Sequence, residues 1–282
     1  MKVLVTGATG FVGQHVVPIL LERGHEVIAT GRAKDKVGAR PWYRDIQFIS
    51  YDIHQPGENI PQSFVRCDAV IHLAWKGLPN YKSLFHFEEN LLVAYRFLKT
   101  LVETSVNHVL VTGTCFEYGM QNGCLSENTP AFPAIPYALA KDTLRKFLQS
   151  LQTTRQYSLQ WVRLFYMYGP GQNPNSLLAQ LDHAIDQGES IFNMSGGEQL
   201  RDYLPVEEVA HRLVILAENP KVQGIVNCCR GQPISVRRLV EDRIAERGAN
   251  IRLNFGHYPY PGYEPMAFWG DNKKWLSLFE GK

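Results

Sequence analysis

Tyr137 and Lys141 stand four residues apart in the run Tyr137-Ala138-Leu139-Ala140-Lys141. On a helix that spacing puts a phenol and an ammonium on one face, about one turn apart. A nearby cation favours the phenolate and draws the phenol down from ~10 toward neutrality, giving a usable general acid or base. Chance pairs of this kind are common on exposed helices, so the surroundings decide. Upstream, Val109-Leu110-Val111-Thr112 reads as a buried strand leading into Gly113-Thr114-Cys115-Phe116-Glu117-Tyr118-Gly119. Open α/β sheets place ligands at the carboxyl ends of their strands. Thr114 is therefore expected to offer its hydroxyl to the same substrate oxygen as Tyr137.

A second constellation lies at the amino terminus. Val3-Leu4-Val5 feeds Thr6-Gly7-Ala8-Thr9-Gly10-Phe11-Val12-Gly13, followed by a helical pattern. Gly7 suits the tight turn, Gly10 lets the backbone approach a pyrophosphate, and Gly13 allows close helix–strand packing. The helix start then presents free N–H groups and a positive dipole to phosphates. The expected wall of this dinucleotide site comprises Gly7, Thr9, Gly10, Phe11, Val12 and Gly13. The second strand ends in Thr30-Gly31-Arg32, with Lys34 and Lys36 nearby, where an NAD site commonly carries a carboxylate. A guanidinium matches a 2′-phosphate, so NADP(H) is favoured over NAD(H); the alternative, solvated surface charges in a loop, stays open. Asp52-Ile53 is expected to flank the adenine, and Leu73-Ala74-Trp75 to run along the cofactor, together with Thr112 and Leu164.

The elements that must position these groups are set by hydrophobic period. Buried strands are expected at Lys2–Thr6, Glu26–Thr30, Gln47–Ser50, Ala69–Ala74, His108–Thr112 and Leu159–Arg163. Helical spacing covers Phe11–Arg23, where Pro18 is expected to introduce a kink, and Leu84–Glu103 and Pro136–Thr153. Further helices are expected near Leu177–Gln187, Val206–Glu218 and Val236–Arg247. Alternating apolar strands and helices imply an α/β fold, a doubly wound parallel sheet covered on both faces. The expected organisation is a dinucleotide-binding Rossmann domain over 1–165. A smaller, loop-rich, mainly substrate-binding C-terminal domain comes next over 166–282, with interleaved segments. The chain of 282 residues is 45% apolar with a formal net charge of +2, enough for a large core and without a charge block for nucleic acid. No apolar run reaches the ~18 residues of a membrane span, and the apolar run at Met1–Val5 is too short for a signal peptide. Five cysteines without zinc-ligand spacing fit a reducing cytoplasm, and no spacing argues for a metal.

Together these motifs resemble the extended short-chain dehydrogenase/reductase family, of the NAD-dependent epimerase/dehydratase type. The likeness rests also on Ile71-His72-Leu73-Ala74, Asn90, Arg163-Leu164-Phe165-Tyr166-Met167-Tyr168-Gly169-Pro170-Gly171, Arg201-Asp202-Tyr203-Leu204-Pro205-Val206 and Asp271-Asn272-Lys273-Lys274, and spans nearly the whole chain. It implies that Tyr137 is the proton donor or acceptor, that Lys141 tunes it and binds ribose, and that Thr114 is the catalytic hydroxyl. It places Arg201 at a nucleotide-sugar diphosphate, and Lys76, Cys115, Phe116, Phe165 and Tyr166 in the substrate region. It also implies a homodimer paired through the helices Leu84–Glu103 and Tyr137–Thr153. Two departures stand out: Thr112-Gly113-Thr114 where consecutive serines are frequent, and Phe165-Tyr166 where a Phe-Asn pair is frequent.

A hydride carrier, a tunable phenol and a hydroxyl suffice to interconvert a ketone and a secondary alcohol. Dehydratases of the family place acid–base carboxylates beside the catalytic hydroxyl; here Cys115 and Phe116 come after Thr114, and Glu117 keeps elimination open. The run from Gly113 to Gly119 is similar to that of reductases in deoxysugar pathways for bacterial surface polysaccharide such as lipopolysaccharide O-antigen. The implied reaction is NADPH-dependent 4-ketoreduction of a nucleotide-linked 4-keto-6-deoxyhexose, for instance a dTDP-linked one. The rivals are an NDP-sugar 4-epimerase with retained NAD and a non-catalytic nucleotide-sensing regulator. His72 is expected to be a core residue and Cys115 not to be a nucleophile. Trp75, Tyr81, Phe85 and Phe87 suit either a sugar pocket or packing. Tyr258, Tyr260 and Tyr263 suit either a substrate cap or turn chemistry.

Overall fold

Short β-branched runs of four to seven residues build one seven-stranded sheet in the computed structural model, which describes residues 1–32, 37–38, 40–55 and 60–279. The strands are β1 (Lys2–Thr6), β2 (Glu26–Gly31), β3 (Gln47–Ser50), β4 (Ala69–His72), β5 (His108–Thr114), β6 (Ser158–Leu164) and β7 (Gly224–Cys228). Their spatial order is 3-2-1-4-5-6-7 and every neighbouring pair is parallel. This is the doubly wound Rossmann arrangement, as expected; the order reverses between β1 and β4, where such sheets open a crevice for ligands. Lys34 and Lys36 lie outside the described residues.

The two faces are visible within single strands, because successive side chains point to opposite sides. Val3, Val5, Val27 and Ala29 pack on Val16, Val17 and Leu20 of α1 (Gly13–Glu22) and, with them, on Val209, Leu213 and Leu216. Leu4, Ile28, Val70, Val109 and Leu159 face Phe97, Leu98 and Leu101 of α2 (Leu91–Thr104) and Leu144 and Leu148 of α3 (Pro136–Leu151). A separate small core joins α4 (Leu177–Asp186) to α6 (Val236–Glu246) through Leu178, Leu181, Val236 and Val240, with Phe192 and Ile251. Val209 to Leu216 belong to α5 (Val206–Glu218), so α1 and α5 cover one face of the sheet and α2 and α3 the other. Among the described residues no helix is long and apolar enough to cross a membrane.

Several boundaries differ from expectation. β4 stops at His72 rather than Ala74, because Leu73 and Ala74 turn their N–H groups onto the Thr6 carbonyl and hydroxyl. β5 continues past Thr112, with Thr114 paired to Leu164, so the Thr114 hydroxyl sits on the last residue of a strand and not in a loop. The helix expected from Leu84 opens as a π-turn over His86–Asn90 before α2 begins. α1 starts at Gly13 rather than Phe11, and it includes Pro18, as the helical reading expected. β7 was not anticipated at all, and it adds a seventh strand beyond β6.

Candidate active site

The turn after β1 is built by close packing. Gly7 has φ +70°, and a Cβ on it would meet the Ala74 backbone nitrogen at 2.9 Å; a Cβ on Gly13 would run into the Gly7 carbonyl and Ala8. α1 starts without a side-chain cap, and the N–H groups of Gln14 and His15 donate to the Gly10 and Val12 carbonyls, which leaves those of Phe11, Val12 and Gly13 for a ligand. Gly7, Gly10, Phe11, Val12 and Gly13 line a cavity of about 680 Å³, and Gly7, Gly10, Leu73 and Trp75 also line an adjoining one of about 180 Å³. The smaller is walled by Thr9, Arg32, Asp52, Ile53, Ala74, Lys76 and the unanticipated His54. One continuous cleft therefore carries a backbone cradle in the middle and a cation, a carboxylate and apolar groups at one end. Those residues fit a nicotinamide dinucleotide, with its adenosine on the side of Arg32 and Asp52.

The other end holds the reactive groups. Thr112, Thr114, Cys115, Phe116, Tyr137, Lys141, Leu164, Phe165 and Tyr166 all line the larger cavity. Ile135 and Pro136 start α3, Pro occupying a first-turn position that has no partner to lose, and Tyr137 N–H donates to the Tyr81 carbonyl at 3.1 Å. Lys141 is 2% exposed; its ammonium donates to the Thr112 carbonyl at 2.8 Å and lies 4.0 Å from the centre of the Trp75 ring. Burial pulls Lys141 down to about 7. The Tyr137 phenol moves the opposite way from expectation. Burial, then the neighbouring Tyr81, Glu117 and Cys115, push it above its ordinary value, against a pull from Thr114. Desolvation of the ring outweighs the single helical turn that links it to Lys141.

Glu117 gives the carboxylate after Thr114 a different place from that of a substrate acid. It is 0% exposed; its oxygens accept from Thr114 N (2.9 Å), Trp161 Nε1 (3.0 Å) and Arg163 Nε (2.7 Å). Thr114 Oγ1 accepts in turn from Phe116 N at 3.3 Å, which closes a capping box around the short turn Cys115–Tyr118. This also explains the glycine in Thr112-Gly113-Thr114, since a Cβ on Gly113 would collide with the Trp161 indole nitrogen and with Glu117. The serine of the commoner pattern has no room beside a buried glutamate and tryptophan.

Arg201, expected at the diphosphate, stands apart from the cavity walls. Its guanidinium donates to Glu264 (3.0 and 3.2 Å) and to the Leu200 and Met266 carbonyls, and Tyr166 donates to the same Glu264 oxygen at 2.6 Å. Lys76 lines the smaller cavity with Arg32 and Asp52, not the larger one that Thr114 lines. His72 is buried, bonded to Thr6 Oγ1 at 2.9 Å, and burial with the Lys141 charge holds it at about 3, a neutral core residue as expected. Burial pushes the Cys115 thiol up, away from the thiolate form that a nucleophile needs. Of the three late tyrosines, Tyr263 reaches the cleft, its ring 6.1 Å from Phe116 and 6.4 Å from Tyr81. Sequence reasoning missed Glu264 and His86, which bond to the cavity-lining Tyr166 and Trp75, and the polar rim Gln172, Asn173, Asn175 and Ser176. The Asn/Pro-rich stretch after Gly171 was the available signal for the last four.

The family model for the NAD dependent epimerase/dehydratase family matches residues 3–229. The chain belongs to that family. It is 32% identical over 279 residues to a dTDP-6-deoxy-L-talose 4-dehydrogenase (NAD(+)) of Aggregatibacter actinomycetemcomitans, covering 96% of this chain and 99% of the relative. It is 27% identical to a UDP-glucose 4-epimerase of Halalkalibacterium halodurans, covering 86% and 79%. Among solved structures, MoeE5 in complex with UDP-glucose and NAD superposes with a TM-score of 0.82 at 26% identity, over 99% of this chain and 92% of that one. In this chain the glycine turn and Thr114, Tyr137 and Lys141 line one cleft.

Proposed function

We propose that the protein reduces the C4 ketone of a dTDP-linked 4-keto-6-deoxyhexose to the alcohol, with 6-deoxy-L-talose as the sugar of the product. The carrying observation is the convergence of Thr114, Tyr137 and Lys141 on one cleft while Glu117, the carboxylate an elimination would need, is turned into the core. A bound nicotinamide dinucleotide supplies the hydride for the ketone carbon. Tyr137 delivers a proton to the ketone oxygen, Thr114 donates a hydrogen bond to the same oxygen, and Lys141 holds the dinucleotide ribose and favours the phenolate left behind. The near full-length likeness to the Aggregatibacter enzyme supports the sugar and the nucleotide. Arg32 at the adenosine end supports acceptance of a 2′-phosphate, hence NADPH. That relative's name specifies NAD(+), so the two cofactors are to be compared directly. The product serves cell-surface polysaccharide assembly in the cytoplasm. The working unit is a homodimer through α2 and α3, whose outer faces expose Leu92, Leu139 and Phe147; light scattering of the purified protein reads that state.

The test is incubation of purified protein with NADPH or NADH and a dTDP-4-keto-6-deoxyhexose. Stoichiometric cofactor oxidation with a new dTDP-sugar alcohol is expected. Interconversion of two dTDP- or UDP-sugars without net cofactor use would replace this reading by the epimerase that the Halalkalibacterium relative exemplifies. Binding without turnover would point to a sensor. Tyr137→Phe should lower kcat by about 10²–10⁴ with cofactor affinity kept; near-normal turnover would remove Tyr137 from the chemistry.

A further inference from the structure

Behind Lys141 lies a chain of contacts that neither the glycine cradle nor the Thr114–Tyr137 pair explains. The Trp75 ring sits 4.0 Å from the Lys141 ammonium, and its Nε1–H donates to His86 Nδ1 at 3.1 Å. His86 is 0% exposed; its other nitrogen, Nε2, lies 2.9 Å from the Asn80 carbonyl, so it carries the proton and the ring is neutral. Asn90 adds a brace, donating to the Lys76 carbonyl at 2.9 Å. The His86 ring also lies 5.3 Å from that of Tyr137. His86 comes from the π-turn ahead of α2, an irregularity of the kind that frequently marks functional sites.

We propose that Trp75 and His86 are positioning residues for Lys141, the indole face sustaining its buried ammonium and the imidazole holding the indole in place. The inference deepens the reductase reading and rests on its assignment of Lys141. A fully buried ammonium with one carbonyl acceptor is poorly compensated, and an aromatic face supplies attraction without competing for the N–H groups that a ligand needs. The remaining ionisable groups around Lys141 are Glu117 behind β5, His72 at the end of β4, His86, and Tyr137 on its own helix. Asp142 is committed to Arg145 and Lys146. His72 and His86 are held neutral by burial, so Glu117, the Thr112 carbonyl and the indole are what favour the charged lysine.

The experiment uses full-length protein with 13C-labelled lysine, Lys141 being assigned from the signal missing in Lys141→Met. Tryptophans of increasing fluorination are placed at position 75, isosteric replacements that weaken the π face and keep the N–H donor. The Lys141 titration should fall stepwise along the series by about one pH unit, the size of a desolvated cation–π contact. The alkaline limb of kcat should move down with it, because turnover requires the charged form. His86→Phe should shift both in the same direction, whereas His86→Gln, which accepts from the indole and donates to the Asn80 carbonyl, should restore them. A flat fluorination series, or equal loss of rate at all pH values, overturns the proposal. A titration that moves in a protein that reduces no ketone keeps the positioning role and rejects the reductase reading instead.

Discussion

Replacing Glu117 by glutamine removes one charge and almost no volume, yet the carboxylate it deletes is the meeting point of three donors: Thr114 N, Trp161 Nε1 and Arg163 Nε. A glutamine has one acceptor oxygen, so no orientation of its amide satisfies all three, and the second position brings N–H against N–H. Arg163, 1% exposed, would keep only Asp142 at 4.0 Å as a counter-charge. Removing one partner of a buried ion pair costs about 3–5 kcal/mol. With an unfolding entropy of ~2.1 cal/mol/K per residue, the 282-residue chain loses about 5–8 °C in Tm. The capping box that fixes Thr114 loosens as well, and displacing a catalytic hydroxyl by an ångström lowers kcat by roughly 10²-fold. Differential scanning calorimetry and steady-state kinetics on Glu117→Gln read both numbers. A Tm within about 2 °C of wild type would refute the account of a carboxylate that secures the end of β5.

Lys141→Met should stabilise the ligand-free fold near neutrality. Burial depresses the lysine from 10.5 to about 7, so between those values the unfolded chain binds the extra proton and wild-type stability rises with pH. The advantage of the variant in melting experiments should therefore be largest at pH 7 and below, and shrink toward pH 10; an advantage growing with pH contradicts the sign. Arg32→Ala should raise KM for NADPH about tenfold, the loss of one charge-assisted contact, and leave KM for NADH unchanged; equal effects on both would take Arg32 away from the 2′-phosphate. Glu264→Ala strands the Arg201 guanidinium and the Tyr166 hydroxyl, and should cost about 3–5 kcal/mol in urea denaturation. An unchanged midpoint would show that the pair contributes nothing.

The strands β1 to β6 and the glycine turn were readable because each is carried by local pattern: a β-branched run, then small residues where the chain must bend. β7 was not. Its Asn227 looks like a turn residue in Gly224-Ile225-Val226-Asn227-Cys228, yet it is buried, accepting from the Tyr118 hydroxyl at 2.7 Å and donating to the Leu125 carbonyl at 2.8 Å. Both partners lie about a hundred residues upstream, beyond any window of periodicity. The same limit hid Glu264 and His86, and the burial of Glu117, polar residues whose place depends on partners from distant elements. The Tyr137–Lys141 spacing was legible, but the direction of the phenol's shift was not, since desolvation is a property of the assembled cleft.

The route of the chain through the sheet has a consequence for engineering. After β6 it leaves to build the rim at 166–178 and α4, returns through α5 to lay down β7, then departs again to form α6 and the loop carrying Tyr263 and Glu264. The proposed lid over the sugar is therefore two separate excursions joined through α5 and a sheet strand. A single-junction chimera that trades one sugar preference for another would exchange β7 along with the lid. Transplanting specificity calls for two grafts, one on each side of α5 and β7, with Tyr166 and Glu264 moved as a matched pair.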